Sequence, residues 1–279
     1  LSLHDALPIY TFDGASGAYG KDGSLHYECP LFHEELAILD FDETSHTFVS
    51  PQKQNPQEEE VADICHSLQY GIRSFMENAG LSKVVLGVSG GIDSAVNAAL
   101  YASILPKENI LLVNMPSVYN SSMTKDLAQQ LADHIGCYYT VIPVQDSLEL
   151  TRKQFREAPL LQNGEEKGHL ALTSFIEENI QARDRSSRIL AAAAAAFGGV
   201  FTCNANKAES SVGYATLYGD HAGFLAATAD LWKHQVYALA RYLNDVVFQR
   251  EVVPQGSIDI VPSAELSASQ DITKGQGDP

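Results

Sequence analysis

Two kinds of hydrophobic periodicity divide the chain. Over residues 10–50 apolar and polar residues alternate, and Lys21-Asp22-Gly23 has the composition of a hairpin turn, so this part predicts short antiparallel strands. Residues 51–57 are polar and contain proline, which is typical of a linker. From residue 58 to 79 apolar residues recur every three or four positions, which predicts a helix. We therefore expect a domain boundary at the linker.

Beyond the first helix, short β-branched runs alternate with helical stretches. This order is typical of an α/β fold in which the strands form one parallel sheet, as in a Rossmann-like domain. The polar, irregular stretch 152–168 is too long for an ordinary connection and predicts a lid or a disordered loop. The predicted strands are 83–88, 109–116, 137–144 and 200–203, and the predicted helices are 92–105, 121–136, 169–197 and 230–243.

Length, charge and cysteine spacing exclude several classes of protein. A chain of 279 residues is long enough for roughly two domains. Its net charge of −17 argues against general nucleic-acid binding, because phosphate contacts need Lys and Arg. No apolar run reaches the roughly 18 residues of a membrane span. The four cysteines have no metal-site spacing, so we expect reduced thiols in a cytoplasmic protein without a nucleic-acid or membrane partner.

The two ends of the chain do not match the pattern between them. The chain begins with Leu1 instead of Met, and residues 1–9 fit nothing downstream, so we expect them to be a non-native remnant. The last residues are polar and stop within a predicted loop. We therefore expect both ends to be cuts through a longer protein.

The segment VVLGVSGGIDSAVNAAL, residues 84–100, has the pattern of a phosphate-binding turn. A β-branched run is followed by Ser89-Gly90-Gly91 and then by a helix, an arrangement that aims backbone N–H groups at an anion. We expect Gly90 and Gly91 to permit positive φ and a close approach of the backbone. The pattern is not a Walker motif, because no Gly-Lys-Ser/Thr follows. A plain tight turn between strand and helix is the alternative interpretation.

An aspartate, Asp93, occupies the place where a phosphate loop would be expected to carry a lysine. A carboxylate beside a polyphosphate is repulsive unless a cation lies between them. Mg²⁺ is a hard ion that takes one or two carboxylates together with phosphate oxygens. The sequence therefore predicts that Asp93 helps to hold Mg²⁺ and that a second carboxylate comes from elsewhere in the chain.

Further motifs follow the phosphate-binding turn in a fixed order. They are ENIQARDRSSR at 178–188, NANKAESSVGYATLYGD at 204–220, DLWKHQVYALARY at 230–242 and VPSAELS at 261–267. Together with SGGIDS these motifs resemble the synthetase domain of the glutamine-dependent NAD⁺ synthetases over about residues 56–279, and residues 10–50 resemble the C-terminal edge of that family's nitrilase-like glutaminase domain. SGGIDS alone would equally suit GMP synthetase, asparagine synthetase or a tRNA thiolase.

The resemblance implies the PP-loop ATP-pyrophosphatase fold, which is also called adenine nucleotide alpha hydrolase-like, and a role for each matched residue. Residues 58–279 would form this domain, truncated at its C-terminus. Asp93 and Glu209 would be the catalytic Mg²⁺ ligands. The implied ATP contacts are Ser89, Gly90, Gly91, Ile92, Asp93, Ser94, Asn204, Lys233 and Ser263, and the implied substrate contacts are Arg183, Tyr218, Gly219 and Asp220.

The chain departs from the family pattern at two of these positions. Asn204 stands where smaller, ammonia-dependent members have a threonine, and Leu217 stands where they have a substrate-binding lysine. Ordinary interpretations also exist for three of the implied residues. Arg183 has the features of a surface ion-pair residue, Lys233 those of a snorkelling side chain, and Glu209 those of a loop carboxylate.

The resemblance implies a ligase that uses ATP and Mg²⁺ to form a C–N bond. The carboxylate of deamido-NAD⁺ would attack the α-phosphorus of ATP and release pyrophosphate, and ammonia would then displace AMP to give NAD⁺. The glutaminase residues would precede Leu1, so we expect glutamine to supply nitrogen in the full-length protein and free ammonia in this chain. We also expect a homo-oligomer of two or more chains. The alternatives are another PP-loop amidotransferase, such as GMP synthetase, and an inactive nucleotide-binding fragment.

Overall fold

The computed structural model of this chain describes residues 11–263 and 265–266. The expected remnant at 1–9 and the chain after Leu266 lie outside the described residues. The chain divides into two compact units, Leu1–Asn78 and Ala79–Pro279. No helix of the described part is both long and apolar enough to cross a membrane.

The first unit contains two short antiparallel hairpins, as the alternating pattern predicts, and the helix that the recurrence of apolar residues every three or four positions predicts. The turn at Lys21-Asp22-Gly23 joins the first two strands, and Gly23 adopts φ +80° there. Lys53, inside the predicted linker, pairs with Tyr27, so part of that segment is bonded to a strand. The elements are β1 (Gly17–Tyr19), β2 (Leu25–Glu28), β3 (Phe41–Asp42), β4 (Thr47–Phe48) and α1 (Glu60–Asn78).

The second unit is an α/β domain around a four-stranded sheet, which confirms the predicted fold class. The strands pair in the order β10-β5-β6-β7, and every pair is parallel. The sheet strands are β5 (Val84–Val88), β6 (Ile110–Asn114), β7 (Tyr138–Val141) and β10 (Val200–Phe201), and the helices packed with it include α2 (Ile92–Ala102) and α3 (Ser122–Ile135).

The core of this unit lies at β5 and α2. Val84, Val85 and Leu86 are fully buried, and burying such a side chain contributes about 1.5–3 kcal/mol. Helix α2 is rich in alanine, and its small side chains let it lie close to the sheet. The sheet therefore presents a rigid carboxyl end, where ligands bind in open α/β folds.

The stretch 152–168 has regular secondary structure, so its interpretation as a disordered loop is wrong, while a lid stays a prediction. A helix, α4 (Gln145–Glu157), covers the start of this stretch, and β8 (Pro159–Gln162) and β9 (Glu165–His169) form a hairpin. Asn163 and Gly164 both adopt positive φ between these strands, as a tight hairpin turn requires. The Asn-Gly pair was the signal for this turn, but the flanking strands PLLQ and EEKGH lack the alternation of apolar and polar residues that predicts a hairpin.

The predicted long helix at 169–197 is interrupted. It begins as α5 (Ser174–Arg183), capped by Thr173, then passes through a π-helical stretch, Asp184–Leu190, and ends as α6 (Ala191–Phe197). Gly198 ends it at φ +74°. The helices that follow in the described part of the unit are α7 (Lys207–Val212), α8 (Lys233–Tyr242) and α9 (Gln255–Asp259), and a second π-helical stretch, Leu243–Val247, continues α8. Neither π stretch has a signal in the hydrophobic period.

Candidate active site

The phosphate-binding turn connects β5 to α2, as the sequence predicts. Gly90 adopts φ +89°, and a Cβ on it would lie 2.2 Å from the carbonyl oxygen of Thr124, so only glycine fits. Gly91 differs from the expectation: its φ is −78°, and it is the N-cap of α2. A Cβ at Gly91 would meet only the Ser89 hydroxyl, at 3.3 Å. Gly90 is therefore required by packing, whereas Gly91 leaves the N-terminus of α2 open.

The two serines of the motif hold the turn together. The Ser89 hydroxyl accepts the Gly91 N–H at 3.2 Å, and the Ser94 hydroxyl donates to the Gly91 carbonyl at 3.1 Å. Ser94 also accepts the backbone N–H of Ser89 at 3.3 Å. These bonds close the turn on itself, which shapes it before any ligand arrives.

Asp93 lies in the first turn of α2, and both of its carboxylate oxygens have donors. Lys233, the first residue of α8, forms an ion pair with Oδ2. The Asn206 side-chain amide donates to Oδ1 at 2.9 Å. A carboxylate at a helix N-terminus is stabilised by the helix dipole. The structure thus brings together Asp93 and Lys233, which are 140 positions apart in sequence.

Glu209 lies beside this carboxylate, held by a capping box on α7. The Asn206 side chain accepts the Glu209 N–H at 3.2 Å, and the Glu209 carboxylate accepts the Asn206 N–H at 3.1 Å. Burial, and next the negative charge of Asp93, raise the pKa of Glu209 to about 7. The positive charge of Lys233 lowers the pKa of Glu209. A cation shared by the two carboxylates would offset the repulsion between them.

The chemistry of these side chains fits Mg²⁺. An ionised carboxylate can accept about four hydrogen bonds or ligand contacts, so Asp93 keeps free lone pairs beside its two donors. Among the described residues no group of three or more His, Cys, Asp and Glu side chains forms a metal cage. An Mg²⁺ ion held by this pair would take phosphate oxygens and water as its remaining ligands.

The second set of implied residues lies in the loop 214–223, which we call the substrate loop. Asp220 accepts the Thr216 N–H at 2.8 Å and closes the loop, while Tyr218 is 71% exposed with φ +62°. A Cβ on Gly219 would lie 2.9 Å from the Thr216 side chain, so the loop is tight here.

The helical segment around α5 holds the substrate loop from outside. The Arg183 Nε donates to the Leu217 carbonyl at 3.1 Å, and the Ser187 hydroxyl donates to the Tyr218 carbonyl at 2.8 Å. The Asp220 charge also raises the pKa of Glu209, behind burial and Asp93, so this loop lies within electrostatic reach of the carboxylates. Arg183 therefore lies in the same region of the structure as Tyr218, Gly219 and Asp220.

Two further implied ATP contacts are held by the protein itself. The Asn204 amide donates to the Gly87 carbonyl at 2.8 Å, and its oxygen accepts the Thr202 hydroxyl at 3.1 Å. Asn204 therefore lies at the carboxyl end of β5. The Ser263 hydroxyl accepts the Glu265 N–H at 3.2 Å, in the chain after α9. Their contacts to ATP stay predictions.

Sequence reasoning missed Asn206 and Arg185. Asn206 is 1% exposed and bonds to both carboxylates, and the pattern Asn-x-x-Glu was its signal, because this spacing is a capping box. Arg185, next to Arg183 in the motif, donates from Nε to the Met115 carbonyl at 3.1 Å, while burial lowers its pKa to about 10. No signal in the hydrophobic pattern distinguishes this buried arginine from its exposed neighbours.

Comparisons with known sequences agree with this geometry. The glutamine-dependent NAD(+) synthetase of Synechocystis sp. is 36% identical over 259 residues, which cover 93% of this chain and 44% of that protein. The corresponding protein of Aquifex aeolicus is 38% identical over 219 residues, covering 78% and 36%. The chain thus spans less than half the length of these relatives.

Solved structures with the same fold include enzymes of two sizes. The glutamine-dependent NAD⁺ synthetase of Acinetobacter baumannii, in complex with ADP, matches with a TM-score of 0.76 and 28% identity, over 96% of this chain and 51% of that one. The NMN synthetase of Francisella tularensis matches with a TM-score of 0.65 and 26% identity, over 78% and 82%. The NAD synthase family model matches residues 64–277, and the chain therefore belongs to the NAD synthase family.

Proposed function

We propose that this chain carries out the amide-forming reaction of NAD⁺ synthesis: deamido-NAD⁺, ATP and ammonia give NAD⁺, AMP and pyrophosphate. The observation that carries the proposal is the coupled pair Asp93 and Glu209 beside an ATP-type phosphate turn, in a chain of the NAD synthase family. An ADP complex of an Acinetobacter baumannii relative supports adenine nucleotide binding.

Charge is the main obstacle in the first step, because the attacking carboxylate and the ATP phosphates are both anionic. The backbone N–H groups at the N-terminus of α2 would receive the phosphates of ATP. Lys233 would add a cation that Asp93 already holds in place. Asp93 and Glu209 would hold Mg²⁺, which would offset negative charge on the phosphates as the bond to the α-phosphorus forms.

Arg183 and the substrate loop would orient deamido-NAD⁺. Arg183 is exposed and already bonds the loop at Leu217, so its remaining guanidinium N–H groups are available to an anion. Leu217 takes the place of a lysine found in smaller family members, which leaves Arg183 as the cation of this loop. Asp220 would then hold the loop shape instead of meeting the negatively charged substrate directly.

The test supplies ATP, Mg²⁺ and one acceptor at a time, and follows pyrophosphate release and the amide product. Deamido-NAD⁺ with ammonium should give NAD⁺ at a rate that glutamine does not match, since we assign no glutaminase site to this chain. Asp93→Asn is the matched negative control. Equal turnover with glutamine in an amidase-free preparation would contradict the assigned nitrogen source.

The assay should include a second acceptor, because a synthetase of a mononucleotide has the same fold. The Francisella tularensis NMN synthetase matches 82% of its own length to this chain, so nicotinate mononucleotide is the competing substrate. Xanthosine monophosphate tests the GMP synthetase alternative. Turnover with either nucleotide in place of deamido-NAD⁺ would overturn the proposed substrate, and no pyrophosphate release with any acceptor would indicate an inactive nucleotide-binding fragment.

We propose in addition that the chain forms a homo-oligomer through α4, the β8–β9 hairpin and α5. Three large apolar side chains on this surface are highly exposed: Leu150 at 56%, Leu161 at 59% and Phe175 at 72%. Light scattering should report more than one chain per particle, and Phe175→Glu should reduce it. Val212→Glu, at an equally exposed site on α7, is the control that should leave the particle mass unchanged.

A further inference from the structure

A buried chain of hydrogen bonds runs beneath the two carboxylates. The side-chain amide of Asn97, which is 0% exposed, donates to the Asp93 carbonyl at 2.9 Å and to the Thr228 hydroxyl at 2.9 Å. Thr228 is also 0% exposed and donates to the Ala205 carbonyl at 3.1 Å. The chain therefore connects the helix that carries Asp93 to the residue that precedes Asn206.

Asn206 completes a closed circuit. It donates to the Asp93 carboxylate and caps the helix that carries Glu209. The path from Asp93 through Asn97, Thr228 and Asn206 thus returns to Asp93, and Glu209 is attached to it. The Asn97 bond to Asp93 lies within α2, but the bonds from Asn97 to Thr228, from Thr228 to Ala205 and from Asn206 to Asp93 join residues that are 23 or more positions apart, so the circuit is a tertiary feature.

The low exposure of these groups makes the circuit stiff. A hydrogen bond inside a protein is stronger than in water, and an unpaired buried polar group is costly, so these side chains have few alternatives. The Asn97 side-chain oxygen is buried without a hydrogen-bond partner among the described residues. The Asn97 amide group is therefore held by its two N–H bonds alone, and the Thr228 hydroxyl is the partner that sets its direction.

We propose that Thr228 and Asn97 are positioning residues that fix the separation of Asp93 and Glu209, and so the affinity of this site for a divalent cation. The inference rests on the proposed function, because it needs the two carboxylates to share a cation. Both side chains are 0% exposed, so they would act on the site without reaching the nucleotide or the ion. They act by holding the Ala205–Asn206 backbone against the start of α2.

The matched pair of variants is Thr228→Val and Thr228→Ser. Valine has nearly the shape of threonine but can neither accept from Asn97 nor donate to Ala205, whereas serine retains both bonds. Outer partners of metal ligands typically change metal affinity by about 10–100-fold. We therefore expect Thr228→Val to weaken Mn²⁺ binding by about tenfold or more, and Thr228→Ser to stay within about twofold.

The measurement uses the full chain with α,β-methylene ATP, which is not cleaved between its α and β phosphates. Electron paramagnetic resonance reports free Mn²⁺, and calorimetry in excess EDTA reports nucleotide affinity without metal. In Thr228→Val only the Mn²⁺ affinity should fall, because the phosphate turn at Ser89–Ser94 has its own hydrogen bonds.

A destabilised variant at a distance separates positioning from stability. Asn244 is another buried asparagine, and in the described part of the chain its side chain bonds to the backbone of Val252 and Val253 and not to either carboxylate. Asn244→Ala should lower the unfolding temperature at least as much as Thr228→Val but leave Mn²⁺ affinity unchanged. Asn97→Ala breaks the same circuit at its other end, so it tests the proposal even where Thr228→Val does not fold.

The outcomes separate the two proposals. Wild-type Mn²⁺ affinity in folded Thr228→Val or Asn97→Ala overturns this inference and leaves the proposed function standing. Equal loss of affinity in Asn244→Ala also overturns it, since general stability would then explain the effect. Absence of nucleotide-dependent Mn²⁺ binding in the wild-type chain overturns both.

Discussion

The phosphate turn at 89–94 and the substrate loop at 214–223 are both implied binding segments, but they are held in different ways. Serine hydroxyls within the turn make its bonds to neighbours at most five residues away. The substrate loop depends on partners such as Asn179, Arg183 and Ser187, which lie more than 30 residues earlier. The turn is thus a property of a short motif, whereas the loop is shaped by the helix beside it.

Gly90 offers the largest effect, because both its positive φ and its packing against Thr124 require glycine. Gly90→Ala would place a carbon 2.2 Å from the Thr124 carbonyl oxygen at a φ of +89°. We expect a loss of about 3 kcal/mol or more in the free energy of unfolding. The unfolding temperature should fall by about 6–12 °C, measured by circular dichroism.

Gly91→Val is the companion change within the same turn. At φ −78° and with only Ser89 near its Cβ, Gly91 tolerates a side chain structurally. The variant should fold with nearly wild-type stability and lose ATP binding, because the added side chain stands at the N-terminus of α2. Unchanged nucleotide affinity in the folded variant would show that this turn does not receive the phosphates.

The next largest effect is expected when the charge of one carboxylate, Asp93 or Glu209, is removed. Asp93→Asn and Glu209→Gln should each raise the Mg²⁺ concentration needed for nucleotide binding by at least about tenfold, since direct ligands matter at least as much as their outer partners. Asp220→Asn, in the substrate loop, should leave the Mg²⁺ requirement near the wild-type value. Wild-type Mg²⁺ dependence in both carboxylate variants would remove the metal assignment.

A change at the substrate loop should weaken the binding of deamido-NAD⁺ and not the binding of ATP. Arg183→Ala removes a charged donor to the Leu217 carbonyl, and bonds of this kind are worth about 1.5–3 kcal/mol, roughly tenfold or more in affinity. Deamido-NAD⁺ binding should weaken while ATP binding does not change, as measured by calorimetry. Arg188→Ala, an exposed arginine paired with Asp184, is the control. If Arg183→Ala also weakened ATP binding, the phosphate turn and the substrate loop would be energetically coupled and would not act as separate regions.

The smallest expected effect is the pH dependence of the stability of the metal-free protein. Folding raises the pKa of Glu209 from its ordinary value of 4.5 to about 7, because burial and Asp93 disfavour the charged form. The folded state then binds more protons than the unfolded state between these values, so stability is lost as pH rises through about 7. Glu209→Gln should therefore unfold at a higher temperature than wild type at about pH 8, with a smaller difference at about pH 5. A difference independent of pH would contradict the raised pKa.

Periodicity predicted much of the second unit, since β5, β6, β7 and α3 all lie where the hydrophobic pattern indicated. The Ser121 cap and Gly136 stop of α3 follow from local chemistry, with Gly136 at φ +77°. The hairpin at 159–169 was missed because its strands are short and mostly exposed, and neither PLLQ nor EEKGH alternates apolar with polar residues. Its Asn-Gly turn was a local signal.

The sequence by itself determined the phosphate turn, because glycines, hydroxyls and the strand-to-helix change all lie within a few residues and act on one another directly. It also indicated which residue types the site needs, through the order of the motifs. Only the tertiary structure decided that Lys233 and Asn206 meet the Asp93 carboxylate, and that Thr228 and Asn97 bind each other beneath it. The physical reason is that the parallel sheet brings distant segments to one edge. Which bonds form there depends on how deeply each group is buried and how far apart the groups lie, and the sequence pattern gives neither quantity.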